Sequence, residues 1–268
     1  MKQMRYNYCM RYLWLFIAMS VIFCFFCLPR PYRASAMDKF ITGADGAPMA
    51  LVPEGEFIMG LKDREPLSEL NPLRKVYLKA YYIDIYEVTN ERYRACVNAG
   101  ACTLPSWNID YPPTLHEEGK NWYFDKAMGN YPVVGATWRQ AVDYCRWAKK
   151  RVPSNAEWEK AARGTDGRAY PWGNEWDAKR ANWDDDGKVD GFRKLAPVGS
   201  FPAGQSPYGV MDMAGNVREW TDNLVVRGGS WYSRPITLRA ADPGHDFIVE
   251  RDDDMGFRCI MDAEPAEK

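Results

Sequence analysis

The stretch "TWRQAVDYCRWAKKRVPSNAEWEKAARG", residues 137–164, holds two helix starts in close succession. Thr137-x-x-Gln140 and Ser154-x-x-Glu157 are capping boxes. In each, the hydroxyl can accept from a backbone N–H three residues on, while the longer side chain reaches back to the cap. Behind the first box, Ala141, Tyr144, Cys145 and Ala148 recur at helical spacing. Behind the second, Trp158, Ala161 and Ala162 make an inner face, and Gly164 supplies a stop. A shorter helix over residues 90–98 is expected from Tyr93, Cys96 and Val97.

Outward from this pair the pattern changes. Toward the N-terminus, "MALVPEGEFIMG" (49–60) and "RKVYLKAYYIDIYEVTN" (74–90) read as short strands rich in β-branched and aromatic residues. From Gly164 to the C-terminus no helical period of useful length occurs; Gly, Pro, Asn, Asp and Trp dominate. The chain carries 11 tryptophans, and with so little regular structure this predicts an irregular fold held by ring packing, hydrogen-bonded turns and metal ions. The class is α+β. No tandem repeat or low-complexity tract interrupts it.

The N-terminus reads as a targeting segment. Lys2, Arg5 and Arg11 lead into the uncharged run Tyr12–Leu28, and Ala34-Ser35-Ala36 follows as a small-residue cleavage pattern. The run is shorter than the about 20 residues a spanning helix needs. Residues 1–36 are therefore expected to be a cleaved signal peptide, with an uncleaved signal anchor as the alternative. Residues 37–50 read as a linker, 51–262 as the domain and 263–268 as a polar tail. The product is exported to a periplasmic or extracellular space, and meets a membrane only if the segment is retained.

Residues 1–36 hold five of the 35 Lys and Arg and none of the 36 Asp and Glu, so the remainder carries a net charge of −6. An acidic exported domain is a poor partner for nucleic acid. Its 232 residues suffice for one core. Of seven cysteines, Cys96, Cys102, Cys145 and Cys259 remain beyond the segment, an even number that admits three pairings. Cys96 and Cys102 bracket a short loop, which leaves Cys145 with Cys259; four buried thiols are the alternative.

"ANWDDDGKVDGF" (181–192) has a calcium-loop rhythm, with Asn182, Asp184 and Asp186 at alternate positions, then Gly187 and Asp190. The position of the closing bidentate Glu is Arg193, and a solvated acidic turn is the alternative reading. "GVMDMAGNVREW" (209–220) flanks a Gly-Asn turn with Asp212 and Glu219, while "RDDD" (251–254) reads as surface charge. With His116 and His245 as the only histidines, three-histidine and HExxH metal sites are excluded. No Walker A loop, GxSxG or dinucleotide fingerprint is present.

"FIMG" (57–60), "YIDIYEVTNERYRACV" (82–97), residues 131–164, "YPWGNEW" (170–176), "APVGSFPAGQSPYGVMDMAGNVREWTDN" (196–223), "RGGSW" (227–231) and "MGFRC" (255–259) occur in a telling order. That order resembles the sulfatase-modifying-factor, or formylglycine-generating enzyme, superfamily over residues 50–261. The resemblance implies a single domain of C-type-lectin-related topology with little regular secondary structure. It also implies two structural calcium sites. One would take Asn182 and Asp190 side chains with Trp183 and Phe192 carbonyls; the other, Asp212 and Glu219 side chains with Gly215 and Val217 carbonyls. It pairs Cys145 with Cys259.

In the family's oxidases, two cysteines after the Gly-Gly-Ser turn hold monovalent copper, activate O₂ and oxidise a substrate cysteine. Here Ser233 stands at the first position, and the stretch 234–241 is shorter and holds no cysteine. A hydroxyl is a poor ligand for so soft an ion. No catalytic residue is therefore assigned, copper is not expected, and formylglycine generation is predicted absent. Trp220, Ser230, Trp231 and Arg239 are the expected ligand cleft of a binding or accessory module for a peptide, protein or small molecule. The alternative is an oxidoreductase or maturation enzyme of different chemistry, resembling the family's siderophore-maturation members.

Overall fold

The two capping boxes close as the sequence requires. Thr137 Oγ1 accepts from Gln140 N at 3.2 Å and Gln140 Oε1 accepts from Thr137 N at 3.0 Å. Ser154 Oγ accepts from Glu157 N at 3.3 Å, and Glu157 Oε2 accepts from Ser154 N at 2.8 Å. These caps start helices α2 (Trp138–Trp147) and α3 (Asn155–Arg163). The latter ends at Gly164, whose φ of 71° suits a residue without Cβ. Helix α1 (Asn90–Asn98) begins at Thr89. This computed structural model describes residues 38–62, 69–105, 123–244 and 253–263. The expected signal segment (1–36), both histidines, His116 and His245, and the tail beyond residue 263 lie outside the described residues.

Nine short strands accompany the helices: β1 (Phe40–Thr42), β2 (Pro48–Val52), β3 (Gly55–Met59), β4 (Arg74–Leu78), β5 (Tyr81–Asp84), β6 (Arg218–Trp220), β7 (Val226–Arg227), β8 (Met255–Gly256) and β9 (Ile260–Asp262). The main sheet runs β1-β2-β5-β9 and is antiparallel throughout. β3 and β4 form a separate hairpin. The third sheet, β7-β6-β8, contains a parallel pairing of β6 with β8.

The expected linker over residues 37–50 is corrected by this topology. Phe40, Ile41 and Thr42 pair with Ala50, Met49 and Pro48. Gly43 N donates to Ala47 O at 2.8 Å across a tight turn, and Ala47, Met49 and Ala50 are fully buried. Small residues made the segment look unstructured, whereas their size is what lets the hairpin lie flat on the core.

The helices pack around aromatic residues. Tyr93 of α1 stacks on Tyr144 of α2 with ring centroids 5.7 Å apart, and Phe257 meets both edge-on. Trp158 of α3 anchors a second cluster with Ile83, Val210 and Met213. Both expected disulfides are present: Cys96–Cys102 closes the end of α1, and Cys145–Cys259 fastens α2 to the residue before β9.

Between residues 164 and 254 the only regular pieces described are the two-stranded β6–β7 pairing and the single 3-10 turns Pro202–Gly204 and Pro235–Leu238. Side chains take over the role of a ladder there. Asn216 Oδ1 accepts from Asn182 Nδ2 at 3.1 Å and from Ala196 N at 3.0 Å, while its Nδ2 donates to Glu87 Oε1 at 3.0 Å. One amide thus ties three loops, which is how buried backbone is satisfied without strands.

Candidate functional site

Gly228 and Gly229 turn the chain out of β7 at φ 91° and 67°. A Cβ on Gly229 would lie 2.6 Å from Leu238 Cδ2, and one on Gly228 3.0 Å from the Trp158 ring. Both positions therefore need glycine for conformation and for space. Ser230 follows, fully buried. Its hydroxyl donates to Asp254 Oδ2 at 2.6 Å, and Arg218 Nε and Nη2 donate to the same oxygen at 2.9 and 2.6 Å. Asp254 is 3% exposed, which corrects the surface-charge reading at that residue; Arg251 and Asp252 lie outside the described residues. Parallel pairing of β6 with β8 places Arg218 opposite Met255 and so brings its guanidinium to that carboxylate.

Ser233, at the expected position of the family's first cysteine, is committed to the turn. Its Oγ accepts from Ser230 N at 3.0 Å, its N donates to Ser230 O, and its carbonyl accepts from Asp184 N at 3.1 Å. The four cysteines of the described residues are all in disulfides. No thiolate among the described residues is left to bind a soft metal.

Of the four expected cleft residues, only Ser230 and Trp231 sit at this turn. Lys194 Nζ lies 5.5 Å from the Trp231 ring centroid, and Trp231 Nε1 and Asp254 Oδ1 are buried without a hydrogen-bond partner. Trp220 is instead a core residue, donating to Ala136 O at 2.9 Å beside the α1–α2 aromatic cluster. Arg239 lines a different cavity of about 260 Å³ with Ile58, Gly60 and Asp166.

The first expected calcium set fits the ion. Asn182 is buried, and its Oδ1 has no partner while its Nδ2 is fully used. Asp190 turns back over the loop, its two oxygens accepting from Trp183 N and Phe192 N at 2.9 and 2.7 Å. An orphaned buried amide oxygen, together with the expected carboxylate and two loop carbonyls, supplies the oxygen donors a hard cation takes. The second set fits less well. Glu219 Oε2 accepts from Trp158 Nε1 at 2.8 Å and from Arg258 Nε at 2.7 Å, and its Oε1 accepts from Arg258 Nη2 at 2.7 Å. Both its oxygens already serve a guanidinium, so Glu219 is better described as the anchor of Arg258. Asp212 lies near Glu87, and both are fully buried acids whose carboxyls desolvation pushes up, each further raised by a neighbouring acid. Among the described residues no three His, Cys, Asp or Glu side chains converge as a metal group.

Comparison with known proteins places this geometry. Residues 36–263 match the sulfatase-modifying factor enzyme 1-like domain family. The inactive C-alpha-formylglycine-generating enzyme 2 of Bos taurus is 30% identical, over 80% of this chain and 88% of the relative. The formylglycine-generating enzyme of Bos taurus is also 30% identical, over 81% of this chain and 75% of that one. Among solved structures, PvdO from Pseudomonas aeruginosa superposes with a TM-score of 0.67 at 25% identity, covering 85% of this chain and all of its own. The fold is thus the α+β, C-type-lectin-related one expected, and the chain belongs to the formylglycine-generating enzyme family.

Proposed function

We propose that this protein is a non-oxidising member of its family, an exported, calcium-braced binding or accessory module. The carrying observation is the chemistry of the Gly-Gly-Ser turn. Where copper would need thiolates, the chain offers the Ser233 hydroxyl, which stays protonated near neutral pH and is already held by Ser230. Similarity to an inactive relative supports the reading. The surrounding frame is nonetheless complete, with glycines, staple and buried ion pairs in place. Beside Ser230, the unpartnered Trp231 Nε1 and Asp254 Oδ1 offer one donor and one acceptor to a ligand.

The two disulfides suit an oxidising compartment. No helix of the described residues is long and apolar enough to cross a membrane. Calcium at Asn182 and Asp190 would neutralise the acidic loop and fix the irregular half against the turn.

The test is direct. Purified protein is titrated with monovalent copper against a competing chelator, then incubated aerobically with a cysteine-containing sulfatase-type peptide. Neither stoichiometric copper nor aldehyde is expected. One equivalent of tightly held copper together with aldehyde formation would refute the proposal. The likeness to PvdO leaves a second reading, a maturation enzyme of different chemistry. O₂ consumption in the presence of a peptide-derived precursor would favour it over a binder.

A further inference from the structure

A second cavity, of about 560 Å³, opens between the N-terminus of α3, the β3–β4 hairpin and the segment that follows β7. Its size falls within the roughly 300–1,000 Å³ of small-molecule sites. Its wall carries two guanidinium side chains, Arg74 and Arg227, and four neutral polar ones, Asn71, Ser154, Asn155 and Asn223; among the described residues no carboxylate lines it.

The charge behind that wall does not balance. Glu159, Arg163 and Arg227 are 0, 4 and 2% exposed. Glu159 Oε1 accepts from Gly60 N at 2.6 Å and Arg163 Nη1 at 2.8 Å; its Oε2 accepts from Asn71 Nδ2 at 3.1 Å and Arg227 Nη2 at 2.7 Å. Among the described residues one saturated carboxylate therefore serves two buried cations, which leaves a surplus positive charge. Arg227 Nη2 also donates to Ala240 O, and the guanidinium carbon lies 5.5 Å from the Trp158 ring centroid, but Nε is buried without a hydrogen-bond partner. Arg74 adds to the surplus, since among the described residues its guanidinium meets only neutral acceptors, Asn71 Oδ1, Pro72 O and Met59 Sδ. Of the described acids nearby, Asp222 lies close to Glu157 and Arg151. Glu157 is engaged by Ser154 and Arg151, and Asp242 Oδ1 accepts from Gly244 N.

The first residues of α3, Asn155 and Ala156, border the same space and bring the positive end of a nine-residue helix to it. Asn155, whose amide meets the Thr221 hydroxyl at 3.0 Å, adds a neutral polar side chain to the same space. A buried, incompletely paired guanidinium is costly unless an anion completes it.

We infer that this cavity is an oxyanion site: it binds a small molecule through a carboxylate or phosphate group held by Arg227 and Arg74 at the α3 N-terminus. The site is separate from the Ser233 turn and does not depend on the function proposed there.

Isothermal titration calorimetry on the full domain tests it, with inorganic phosphate and succinate as separate probes and chloride as the counter-ion control. Saturable one-to-one binding of at least one probe at millimolar concentration or below is expected. Asn223→Asp, at an exposed rim position, and Arg74→Gln should each weaken it by about tenfold or more while melting in the absence of anion stays unchanged. Binding of phosphate alone assigns a phosphoryl ligand, and of succinate alone a carboxylate one. No binding of either probe, or binding equally strong in both variants, overturns the inference.

Discussion

The long-range staple should be worth more than the short one, and the chain separations say by how much. Cys145–Cys259 encloses a loop with a sequence separation of 114, and Cys96–Cys102 one of 6. If a cross-link acts by restricting the unfolded chain, the loop-entropy relation gives about 5 kcal/mol for the first and about 2 kcal/mol for the second at 25 °C. Cys96, Cys145 and Cys259 are fully buried, so alanine replacements leave comparable voids and the difference between the two double variants is chiefly chain entropy. Cys145→Ala/Cys259→Ala should lower the melting temperature by about 10–20 °C, against roughly half that or less for Cys96→Ala/Cys102→Ala. Differential scanning calorimetry with matched urea titrations reads both quantities. A long-loop variant that loses no more than the short-loop one would show that the bridge does not act through the unfolded ensemble.

Lys150→Met should cost about 3–5 kcal/mol, because Lys150 Nζ lies 2.6 Å from Asp45 Oδ1 and 2.7 Å from Asp84 Oδ1 in a fully enclosed cluster. Urea unfolding at neutral pH measures it, and adding Asp45→Asn and Asp84→Asn should restore much of the loss. Desolvation raises the Asp84 carboxyl from 3.8 to about 6, Lys150 only partly opposing it. A folded value above the unfolded one means that the native state holds the extra proton. The Asp84 contribution is therefore full below about pH 4 and fades by about pH 6, by about 3 kcal/mol. A pH series in which Asp84→Asn shows the same slope as the parent would contradict this. Calcium at a hundred times its dissociation constant should add about 2.7 kcal/mol, read as a rise in melting temperature over a chelator control. Asn182→Ala should abolish most of that rise, and equal melting of the parent in both conditions would remove calcium from the proposal.

The elements most legible in the sequence are those specified locally. The two capping boxes define α2 and α3 within a few residues each, and Gly164 fixes an end. Helix α3 also shows where such reading stops. Its apolar positions predict one inner face, yet Glu157, Glu159, Lys160 and Arg163 are buried too. Lys160 Nζ donates to Pro53 O and Gly55 O, and Glu159 reaches Gly60 N, partners about a hundred residues away that no periodicity announces. Trp220 belongs to the expected cleft wall with Ser230, Trp231 and Arg239. The pleat of β6 and the donor bond to Ala136 O turn it into the core instead. Asp254 closes a run of three aspartates, and nothing in that run announces its pairing with Arg218 and Ser230. The oxyanion cavity had no sequence signature, since it is defined by an imbalance among Glu159, Arg163 and Arg227 that exists only once they are packed together.

The main sheet joins the two ends of the domain. β5, at residues 81–84, has β2 on one side, while its other edge is filled by β9, at residues 260–262. A chain emerging N-terminus first therefore holds an open strand edge on β5 until residues 260–262 are free. The domain cannot complete itself piecemeal during synthesis, and its final closure, which also brings Cys259 to Cys145, is one late long-range event. Loss of β9 would leave β5 exposed as a sticky edge. Removal of β9 should thus be felt as aggregation before the Ser230 turn or the Arg227 cavity is touched.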